Sequence, residues 1–543
     1  MNTPLASLPR SHAIPSLPCM ALALGVLMAF ATPARATTYF VRTDGGDTRQ
    51  CTGRTDNAYP GRGSAQPCAW KHPFHALPPD SSPRISGGDT LVIGPGDYMI
   101  GYGASGSEDF CSSEWPWDCH MSAIPSGPSA NRPTSLVGKT DNGKCLLPPT
   151  LWGTDRVNLI LNLEGSSNIE VGCLEITDRS DCVEHHANPK VRCERDKSPY
   201  GHWGSVGLYA STSRNVLLHD LDIHGLAHTG IAAGGLRDWT LERVKINRNG
   251  WVGWDGDIGD ASSNAGNIVM RDVEIAWNGC GELWKTGKVH ACWAQESGGY
   301  GDGIGTAKTG GKWLFERVRV HHNTSDGIDL LYLDGNTESS ATLRQVYAVG
   351  NAGNQIKVRG NATIENSLVI GQCGYFNGFY DMVEGDHCRA QGNAISLIMS
   401  PGSNALVRHN TITGEGDCLI LSEDGTARER IDIQNNVLIG QREFLSDDGE
   451  LTCGQYAHES RATVVFTSNL FWNVKHGQCP AGSLCNRDPK LTTSTMGNFN
   501  ALPLPGSPLI DSARATGLGT DFYGKPRPSG QGPDIGAVEW QKK

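Results

Sequence analysis

Apolar and polar residues alternate in short runs along most of the chain, and many of these runs share one arrangement. An apolar stretch is followed by two polar residues and then by an alternating apolar pair. Examples are residues 215–223 (NVLLHDLDI), 239–246 (WTLERVKI), 267–275 (NIVMRDVEI) and 313–320 (WLFERVRV). A period of two is typical of β-strands, and Gly, Asn and Asp separate the runs. The pattern therefore predicts an all-β chain of short strands.

The runs recur at the spacing of one coil of a solenoid. Ile246 and Ile275 are 29 residues apart, Val320 and Ala348 are 28 apart, and Ile223 and Ile246 are 23 apart. One such coil cannot bury its own apolar side, so successive coils stack and share a core. A propeller blade would need about 40 residues, a period that the chain does not show. We predict a right-handed parallel β-helix, a solenoid with loop insertions and a C-terminal cap.

Residues 1–36 have the features of an export signal. Arg10 precedes an apolar run at 20–31 (MALALGVLMAFA), and the A-R-A sequence that ends at Ala36 is a cleavage pattern. The run of about a dozen residues is too short to span a bilayer, and no later stretch is long and apolar enough to do so. We therefore expect a secreted mature chain, extracellular or periplasmic, that begins near Thr37 and has no membrane span.

Two intervals between strand runs, Ile275 to Val320 and Ile370 to Ile412, are longer than the others and indicate insertions. Insertions in a solenoid gather on one face and often wall a binding groove; surface decoration without a role is the alternative. Segments near both chain ends, such as residues 88–97 (GDTLVIGPGD) and 534–539 (DIGAVE), resemble those of secreted β-helix proteins. We predict an N-terminal cap and first coils at 37–160, the β-helix with its groove at 161–475, and a C-terminal capping segment at 476–543.

Sixteen of the 17 cysteines remain once Cys19 is removed with the signal. Close pairs are Cys51/Cys68, Cys111/Cys119, Cys182/Cys193, Cys280/Cys292, Cys373/Cys388 and Cys479/Cys485. In an exported chain, an even number of cysteines at such spacings indicates disulfides that staple loops. Zinc is the competing interpretation, although the chain has no C-x-x-C pair. We expect Cys173 and Cys418, which lie in strand-like runs, to be core residues instead.

The net charge limits the class of partner. The chain is formally −11, and the signal carries two arginines and no acid, so the mature chain has 44 basic and 57 acidic residues, or −13. Nucleic acid is excluded as a partner on this ground. An anionic polysaccharide would also be repelled unless a cation or a basic strip intervenes. Between Lys285 and Arg359 nine basic residues outnumber seven acidic ones, which provides a modest strip. Because a capped solenoid has no free edge, we expect a monomer.

The turns that follow the strand pairs align as tetrads. They are residues 229–232 (TGIA), 252–255 (VGWD), 302–305 (DGIG), 326–329 (DGID), 354–357 (NQIK) and 393–396 (NAIS). The third position is apolar throughout and should point into the core, so the first and fourth are left to face solvent or the turn. Equivalent positions in successive coils lie about 5 Å apart. The alignment therefore places Asp302, Asp326 and Asn354 in one file, and Asp329 beside Lys357 in another.

Carboxylates this close repel one another unless a cation is present, and hard oxygen ligands suit calcium. We predict that Asp302, Asp326 and Asp329 bind Ca²⁺. A lysine beside a bound dication has a lowered pKa, so Lys357 can act as a general base. Calcium that also contacts a substrate carboxylate makes the adjacent C–H more acidic. Together these roles predict β-elimination at a uronic acid, in which Lys357 removes the C5 proton and the C4–O bond breaks.

The segment between Tyr300 and Gly360 resembles the core of the family 9 pectate lyases. The matching residues are Y-G-D-G-I from Tyr300, N-T-S-D-G-I-D-L from Asn323 and Q-I-K-V-R-G from Gln355. In that family the aspartates bind calcium and the lysine is the base. Transferred to this chain, the resemblance implies Asp302, Asp326 and Asp329 as ligands and Lys357 as base. The family has two adjacent aspartates where this chain has Ser325-Asp326, and aromatic residues where it has Ile304 and Ile328.

Further residues are weaker candidates for the same site. Lys308, Arg319 and Arg359 are predicted to bind substrate carboxylates. Asp255, Asp257 and Asp260 form an acidic turn that is either a second calcium site or a hydrated loop, and we favour the loop. Rim residues without an assigned role are His228, His290 and Glu296. Candidates for stacking on sugar rings are Trp251, Trp254, Trp284 and Trp293, of which Trp254 fits core packing equally well.

Two other classes of function remain open from the sequence. A glycoside hydrolase on the same scaffold needs paired carboxylates, and Asp326 with Asp329 or Asp302 could supply them. Gln355-Ile356-Lys357 is similar to the R-I-K of polygalacturonases, but their adjacent aspartate pair and a histidine motif are not found. The third class is a non-catalytic surface or carbohydrate-binding β-helix. Fold alone does not decide among the three.

Overall fold

The computed structural model describes residues 36–258, 263–293, 300–334, 336, 338–377, 388, 392–442, 451–475 and 478–541. Within this range, Thr37–Lys543 forms one compact unit. The predicted signal peptide lies, except for Ala36, outside the described residues, and so do Asp260 and Glu296. No helix in the described part of the chain is long and apolar enough to cross a membrane.

Each coil of the central region contributes one strand to a first sheet and one strand to each of two further rows. The first sheet has ten parallel strands: Val157–Asn162, Gly204–Ser211, Thr229–Gly234, Val252–Asp255, Ile304–Gly305, Ile328–Leu330, Ile356–Arg359, Ile395–Met399, Cys418–Asp424 and Cys453–His458. Parallel pairing of strands that follow one another by a whole coil is the topology of a parallel β-helix. The predicted fold class, a right-handed parallel β-helix, is confirmed.

The second and third rows form one continuous sheet of 24 strands. They are joined because the long strands Ser167–Asp178 and Arg214–His224 belong to both rows. The second row further contains Thr38–Gly46, Thr90–Ile93, Thr134–Gly138, Arg237–Glu242, Ala265–Arg271, Lys312–Glu316, Ser340–Arg344, Ala362–Glu365, Asn404–Arg408, Arg430–Gln434 and Thr463–Thr467. The third row contains Asp97–Ile100, Thr150–Gly153, Lys245–Asn247, Glu274–Ala276, Arg319–His321, Tyr347–Val349, Leu368–Gly371, Thr411–Gly414, Val437–Gly440, Leu470–Trp472 and Leu484–Cys485.

Short elements decorate this scaffold. Two antiparallel hairpins pair Cys280–Leu283 with Lys288–Cys292 and Leu491–Thr493 with Asn500–Pro503. Single 3-10 turns lie at Pro73–His75, Pro116–Asp118, Cys373–Phe376 and Met496–Asn498.

The core lies inside the coils, where the inward residues of the three rows meet. Ile231, Trp254, Ile304, Ile328 and Ile356 stack on one another in the first sheet and are fully buried. They are the third residues of their tetrads, so the inward direction predicted for that position is confirmed. Burying such side chains stabilises the fold by about 1.5–3 kcal/mol each.

A ladder of buried amides runs along the turn that leads from the third row into the first sheet, which we call the insertion turn. The side chains of Asn249, Asn278, Asn323 and Asn351 each donate from Nδ2 to the next side-chain oxygen at 2.8–2.9 Å. The last acceptor is Oε1 of Gln355. Gln355 therefore ends the ladder in the coil that precedes an insertion. This bond explains why a glutamine occupies the second tetrad position, where most other tetrads have a small residue.

All long insertions of the central region leave the scaffold at the insertion turn. They follow Ser167–Asp178, Glu274–Ala276, Leu368–Gly371 and Val437–Gly440, and each precedes a strand of the first sheet. Because the turn is the same in every coil, the described residues at which the insertions begin and end lie at one edge of the first sheet. This arrangement is the gathering on one face that the spacing of the strand runs predicts.

Eight disulfides bind all sixteen cysteines that follow residue 36. The six predicted pairs are confirmed. The expectation for Cys173 and Cys418 is wrong, because Cys173 is bonded to Cys145 and Cys418 to Cys453. Both are buried in strands, as expected, but each reaches a loop or strand cysteine at its side. Disulfides on this scale fit an oxidising compartment.

One outward file of the second row alternates in charge from coil to coil. Its members, in order, are Glu242, Arg271, Glu316, Arg344, Glu365 and Arg408. Neighbours in the file form ion pairs at 2.6–3.6 Å. Each charge therefore lies between two of the opposite sign, apart from those at the two ends.

The C-terminal segment packs along the flank of the third row. Apolar residues such as Leu491, Leu509, Ile535 and Ala537 contact outward side chains of that row. Side-chain amides of Gln345, Asn366 and Asn435 donate to backbone oxygens of the segment at 2.7–2.8 Å. The predicted domain boundaries, including the start of the capping segment at 476, stay a prediction.

Candidate functional site

The register of the first sheet stacks the tetrads in the order that the sequence alignment predicts. Gly305 pairs with Asp329, and Asp329 with Lys357, so these fourth-position residues lie side by side on the outward face. Asp255 precedes Gly305 in the same file. The first positions of the same coils, Asp302 and Asp326, lie at the edge of the sheet next to the insertion turn.

Lys357 contacts two carboxylates of the neighbouring coil, those of Asp326 and Asp329. Its Nζ is 3.0 Å from Oδ2 of Asp326 and 3.0 Å from Oδ2 of Asp329. Asp302 and Asp326 are buried, while Asp329 and Lys357 keep about a sixth of their side chains exposed (16% each). We call Asp302, Asp326, Asp329 and Lys357 the acid–lysine cluster. The cluster is open to solvent through its two fourth-position members.

Two carboxylates of the cluster also hold neighbouring coils together. Oδ1 of Asp302 accepts the backbone N–H of Asp326 at 2.9 Å. Oδ1 of Asp326 accepts the backbone N–H of Asn354 at 2.6 Å and its Nδ2 at 3.0 Å. Aspartates in turns commonly bind backbone amides in this way. In Asp326 the other oxygen, Oδ2, is the one that contacts Lys357.

Two glycines leave the space that these carboxylates occupy. A Cβ on Gly305 would lie 2.7 Å from Oδ2 of Asp302, and one on Gly353 would lie 2.2 Å from Oδ1 of Asp326. The carboxylate of Asp302 therefore leans over a position without a side chain, toward the outward face. The cluster depends on glycine at both places.

The electrostatic environment differs between the three acids. Burial, together with the charges of Asp326 and Asp329, raises the pKa of Asp302 well above the usual carboxyl range. Burial would raise the pKa of Asp326 too, but the ammonium of Lys357 outweighs it and lowers that pKa. Burial and the charge of Asp326 raise the pKa of Asp329 to about 7. One ionised carboxylate thus lies between two that hold protons more tightly.

The carboxylates beside Lys357 raise its pKa, whereas the predicted lowering assumes a bound dication and stays a prediction. Burial alone would lower it, but attraction to Asp326 and Asp329 outweighs burial and raises it. The sequence predicts a lowered pKa because it pairs the lysine with a bound dication. The structure shows that the same carboxylates that suit a dication also hold the ammonium.

The residues around the cluster fit calcium in their chemistry. The available side-chain ligands all present oxygen atoms, which Ca²⁺ prefers. They belong to Asp302, Asp326, Asp329 and Asn354. Asn354 is buried, and its Oδ1 has no hydrogen-bond partner among the described residues, while its Nδ2 is bound to Asp326. A buried amide oxygen without a partner costs free energy and is an available ligand. The tetrad alignment places Asn354 in the file but assigns it no role.

Arg359 shares the outward face of the first sheet with Lys357, Lys308 lies in a turn beside that sheet, and Arg319 lies on another row. Arg359 is two residues beyond Lys357 in the same strand, so both side chains point to the same face. Lys308 is exposed in the turn that follows Ile304–Gly305. Arg319 lies in the third row, where its guanidinium packs on Tyr347 at 4.6 Å and pairs with Glu274. The sequence pattern does not reveal which row a strand joins, and Arg319 belongs to a different face.

The candidate tryptophans occupy different environments. Trp254 is core, Trp293 is buried, and Trp284 is exposed at the tip of a hairpin. Trp251 stacks on His228 at 4.6 Å and meets the edge of Tyr300 at 3.7 Å. Neighbouring rings thus cover Trp251, which leaves little of it for a sugar.

The remaining rim candidates are placed as follows. Burial lowers the pKa of His228 to about 4, so its imidazole is neutral. His290 lies in the strand Lys288–Cys292 of the stapled hairpin. In the acidic turn, Oδ1 of Asp255 accepts the backbone N–H of Asp257 at 2.8 Å. Burial raises the pKa of Asp255 to about 6.

Comparisons with known proteins find similarity in fold. No protein-family model and no curated protein sequence matches the chain. The solved structure of pectate lyase Pel9A is 14% identical, with 93% of this chain and 96% of that chain covered and a TM-score of 0.41. The A-module of the mannuronan C-5 epimerase AlgE4 of Azotobacter vinelandii is 10% identical over 73% and 90%, with a TM-score of 0.40. An alginate lyase from a Paenibacillus species is 12% identical over 72% and 93%, with a TM-score of 0.34. At these identities the similarity concerns the β-helix and not the reaction.

Proposed function

We propose that this protein is a secreted, calcium-dependent polysaccharide lyase that cleaves a uronate-containing, pectate-like polymer by β-elimination. The observation that carries the proposal is the position of Lys357, whose Nζ lies 3.0 Å from each of two carboxylates on the open face of the first sheet. A buried third carboxylate, Asp302, completes the group. One amine among hard oxygen ligands supplies both a base and a cation site.

The proposed ligands are Asp302, Asp326 and Asp329, with the free Oδ1 of Asn354 as a further oxygen. When bound there, calcium would neutralise these carboxylates, compete with the ammonium of Lys357 for them, and polarise the carboxylate of the substrate. Ser325 stands where the family 9 pectate lyases have a second adjacent aspartate, so the proposed set has one ligand carboxylate fewer.

Lys357 is the proposed base. Its raised pKa depends on Asp326 and Asp329, so the amine loses its proton more readily when those carboxylates are engaged elsewhere. The neutral Nζ takes the C5 proton of a uronate ring. The electron pair of the C5–H bond forms a C4–C5 double bond, and the C4–O bond breaks. The departing oxygen takes a proton, so the products are an unsaturated uronate end and a new free end.

Cationic side chains reduce the electrostatic repulsion between an acidic protein and an acidic polymer. Arg359 shares the face of Lys357, and Lys308 is exposed in the adjacent turn. Together with a bound dication they make the neighbourhood of the cluster favourable to carboxylates in a mature chain of net charge −13 (44 basic, 57 acidic residues).

A glycoside hydrolase is a second candidate, favoured by one observation. The pKa of Asp302 is raised while that of Asp326 is lowered. Neighbouring carboxyl groups with opposite shifts are the arrangement that general acid and base pairs use. In this alternative Asp302 donates a proton to the leaving oxygen, and Lys357 orients Asp326.

The test is an assay of the mature protein on polygalacturonate, alginate and glycosaminoglycans, with calcium or with EDTA. The lyase proposal expects ultraviolet absorbance from unsaturated uronate in calcium and its loss in EDTA. New reducing ends without absorbance would replace it with hydrolysis. Polymer binding without any product would support a non-catalytic β-helix and contradict both enzyme proposals.

Substitution of the proposed base sharpens this test. Lys357→Ala should lower the rate of elimination by about 10²–10⁴-fold, the usual contribution of a general base. Lys312→Ala is the matched control, because Lys312 is an exposed lysine on the second row, and it should keep full activity. A folded Lys357→Ala variant with the activity of the parent would refute the assignment.

A further inference from the structure

An exposed tyrosine lies in the turn that follows Asp329. Tyr332 is 57% exposed, whereas Leu330 and Leu333 on either side are fully buried. The turn leads from the first sheet to the second row, so it borders the outward face at the edge opposite the insertion turn. The phenol ring therefore faces solvent beside the strand that carries Asp329.

The backbone of this turn is bound to the neighbouring coil. The N–H of Thr309 donates to the carbonyl oxygen of Tyr332 at 3.1 Å, and the N–H of Asp334 donates to that of Thr309 at 2.7 Å. Thr309 and Leu333 form a parallel bridge. With Leu333 buried in the core, the exposed ring is presented from an anchored turn.

Two cationic side chains reach the same turn. Nε of Arg359 donates to the carbonyl oxygen of Leu331, the residue before Tyr332, at 2.7 Å. This bond holds the guanidinium on the side of the sheet that carries Lys357, about 7 Å along the strand. Lys308 precedes Thr309, is exposed, and makes no ion pair with any residue that the structure describes. A tyrosine and two cationic residues thus lie at the turns that follow the strands of the acid–lysine cluster.

We propose that Tyr332, Arg359 and Lys308 form an acidic-sugar subsite that positions a uronate ring next to Lys357. This inference rests on the proposed function. The apolar face of the sugar ring packs on the exposed phenol ring. Nε of Arg359 donates to Leu331 and Nη1 contacts Asp424 at 3.3 Å. The sugar carboxylate therefore accepts from Nη2 of Arg359 and pairs with the ammonium of Lys308. The subsite accounts for recognition of acidic sugars over neutral ones.

Binding of a short oligouronide, measured by calorimetry in calcium, tests the subsite without turnover. The Lys357→Ala chain serves as parent, because it binds without cleaving. Tyr332→Ala in that chain should weaken binding about tenfold, the size of one aromatic contact of about 1.4 kcal/mol. Tyr332→Phe should bind like the parent. Tyr523→Ala is the matched control, because Tyr523 is equally exposed (57%) but lies in the C-terminal segment.

The cations are tested with the same oligosaccharide after reduction of its carboxyl groups. Arg359→Ala should weaken binding of the acidic form and leave binding of the reduced form unchanged. The inference is overturned if Tyr332→Ala binds as tightly as Tyr523→Ala, or if the parent binds neither form. If the natural chain forms product but Tyr332→Ala does not weaken oligosaccharide binding, the subsite is refuted and the lyase proposal stands. If Tyr332→Ala weakens binding but the natural chain forms no product, the lyase proposal is refuted and the subsite stands.

Discussion

Asp326 divides its two carboxylate oxygens between the fold and the candidate site. Oδ1 accepts two N–H groups of Asn354, one from the backbone and one from the side chain, and Oδ2 contacts Lys357. An asparagine can still accept through one oxygen but carries no charge. The structural and the chemical contributions of this residue can therefore be separated by substitution.

We predict that Asp326→Asn keeps the fold and loses the chemistry. The unfolding midpoint should fall less than in Asp326→Ala, which also loses the bonds between coils. Calcium affinity, measured by calorimetry, should fall at least tenfold in both variants because a ligand charge is lost. Unchanged calcium binding in Asp326→Asn would contradict the ligand assignment.

The half-buried carboxyl of Asp255 makes stability depend on pH. Its folded pKa of about 6 lies above the ordinary value of 3.8, so between these values the folded state holds the proton and the unfolded state releases it. Stability then falls as pH rises through this window. A shift of about two units corresponds to about 3 kcal/mol. We predict that Asp255→Asn raises the unfolding midpoint at pH 7.5 and has little effect near pH 4.

Thermal unfolding at the two pH values measures this effect. Asp109→Asn is the control, because Asp109 is exposed and accepts no hydrogen bond from a described residue, and it should change neither midpoint. An equal effect of Asp255→Asn at both pH values would show that the carboxyl is not the cause.

The neighbours of Lys357 could be predicted at this scale, but its protonation could not. Strand alternation and the stacking of coils place Asp329 beside Lys357 from spacing alone. The raised pKa of Lys357 follows from bonds of 3.0 Å to two carboxylates, and spacing does not reveal which side chains close such distances. The free Oδ1 of Asn354 also depends on side-chain orientation.

At the scale of the strand, a glycine leaves space on the sheet that a neighbouring side chain can occupy. Gly303 and Gly305 are two residues apart in one coil, yet a Cβ would meet different atoms at each. At Gly303 it would lie 2.5 Å from the backbone oxygen of Gly327, and at Gly305 it would lie 2.7 Å from the carboxylate of Asp302. A new Cβ at residue 305 could displace the Asp302 side chain, whereas one at residue 303 would clash with a backbone oxygen that cannot move aside.

We predict that Gly305→Ala damages the site and Gly303→Ala damages the fold. Gly305→Ala should lower calcium affinity at least tenfold by displacing Asp302, with a small change in unfolding midpoint. Gly303→Ala should lower the midpoint markedly. Gly497→Ala should change neither, because an added Cβ at Gly497 would meet no atom of the described residues within 4 Å. Full calcium affinity in Gly305→Ala would argue against a role for Asp302.

The insertions illustrate what the pattern predicts at the scale of elements. Long intervals between strand runs locate two of them, and the rule that insertions share a face is met at the insertion turn. The row to which each strand belongs cannot be read from the sequence, because all three rows use the same alternation. For this reason the pattern assigns Arg319 to the site, whereas it lies in the third row.

At the scale of the whole molecule, the third row changes character where the C-terminal segment covers it. Its outward file reads Glu175, Asp222, Lys245, Glu274 and Arg319 in the early coils, and Tyr347, Leu368, Thr411, Val437 and Leu470 in the later ones. The later side chains are the ones that face the segment. The switch from charged to apolar residues is visible in the sequence once the file is known.

We predict that a chain ending at Asn486 exposes this apolar flank. It should bind a hydrophobic dye and scatter light at concentrations where the full chain does not, because contiguous apolar patches promote association. The chain ending at Gln541 is the control and should behave like the full chain. A truncated chain that stays monomeric and binds no dye would show that the flank needs no cover.

The alternating file from Glu242 to Arg408 also restricts how such a molecule can lengthen. Solenoids grow by copying coils, and a copy of one coil in this stretch would set two like charges on adjacent strands, which is unfavourable. A copy of two consecutive coils restores the alternation at both junctions. Growth within this region is therefore tolerated in even steps, and an engineered extension of the groove should add coils two at a time.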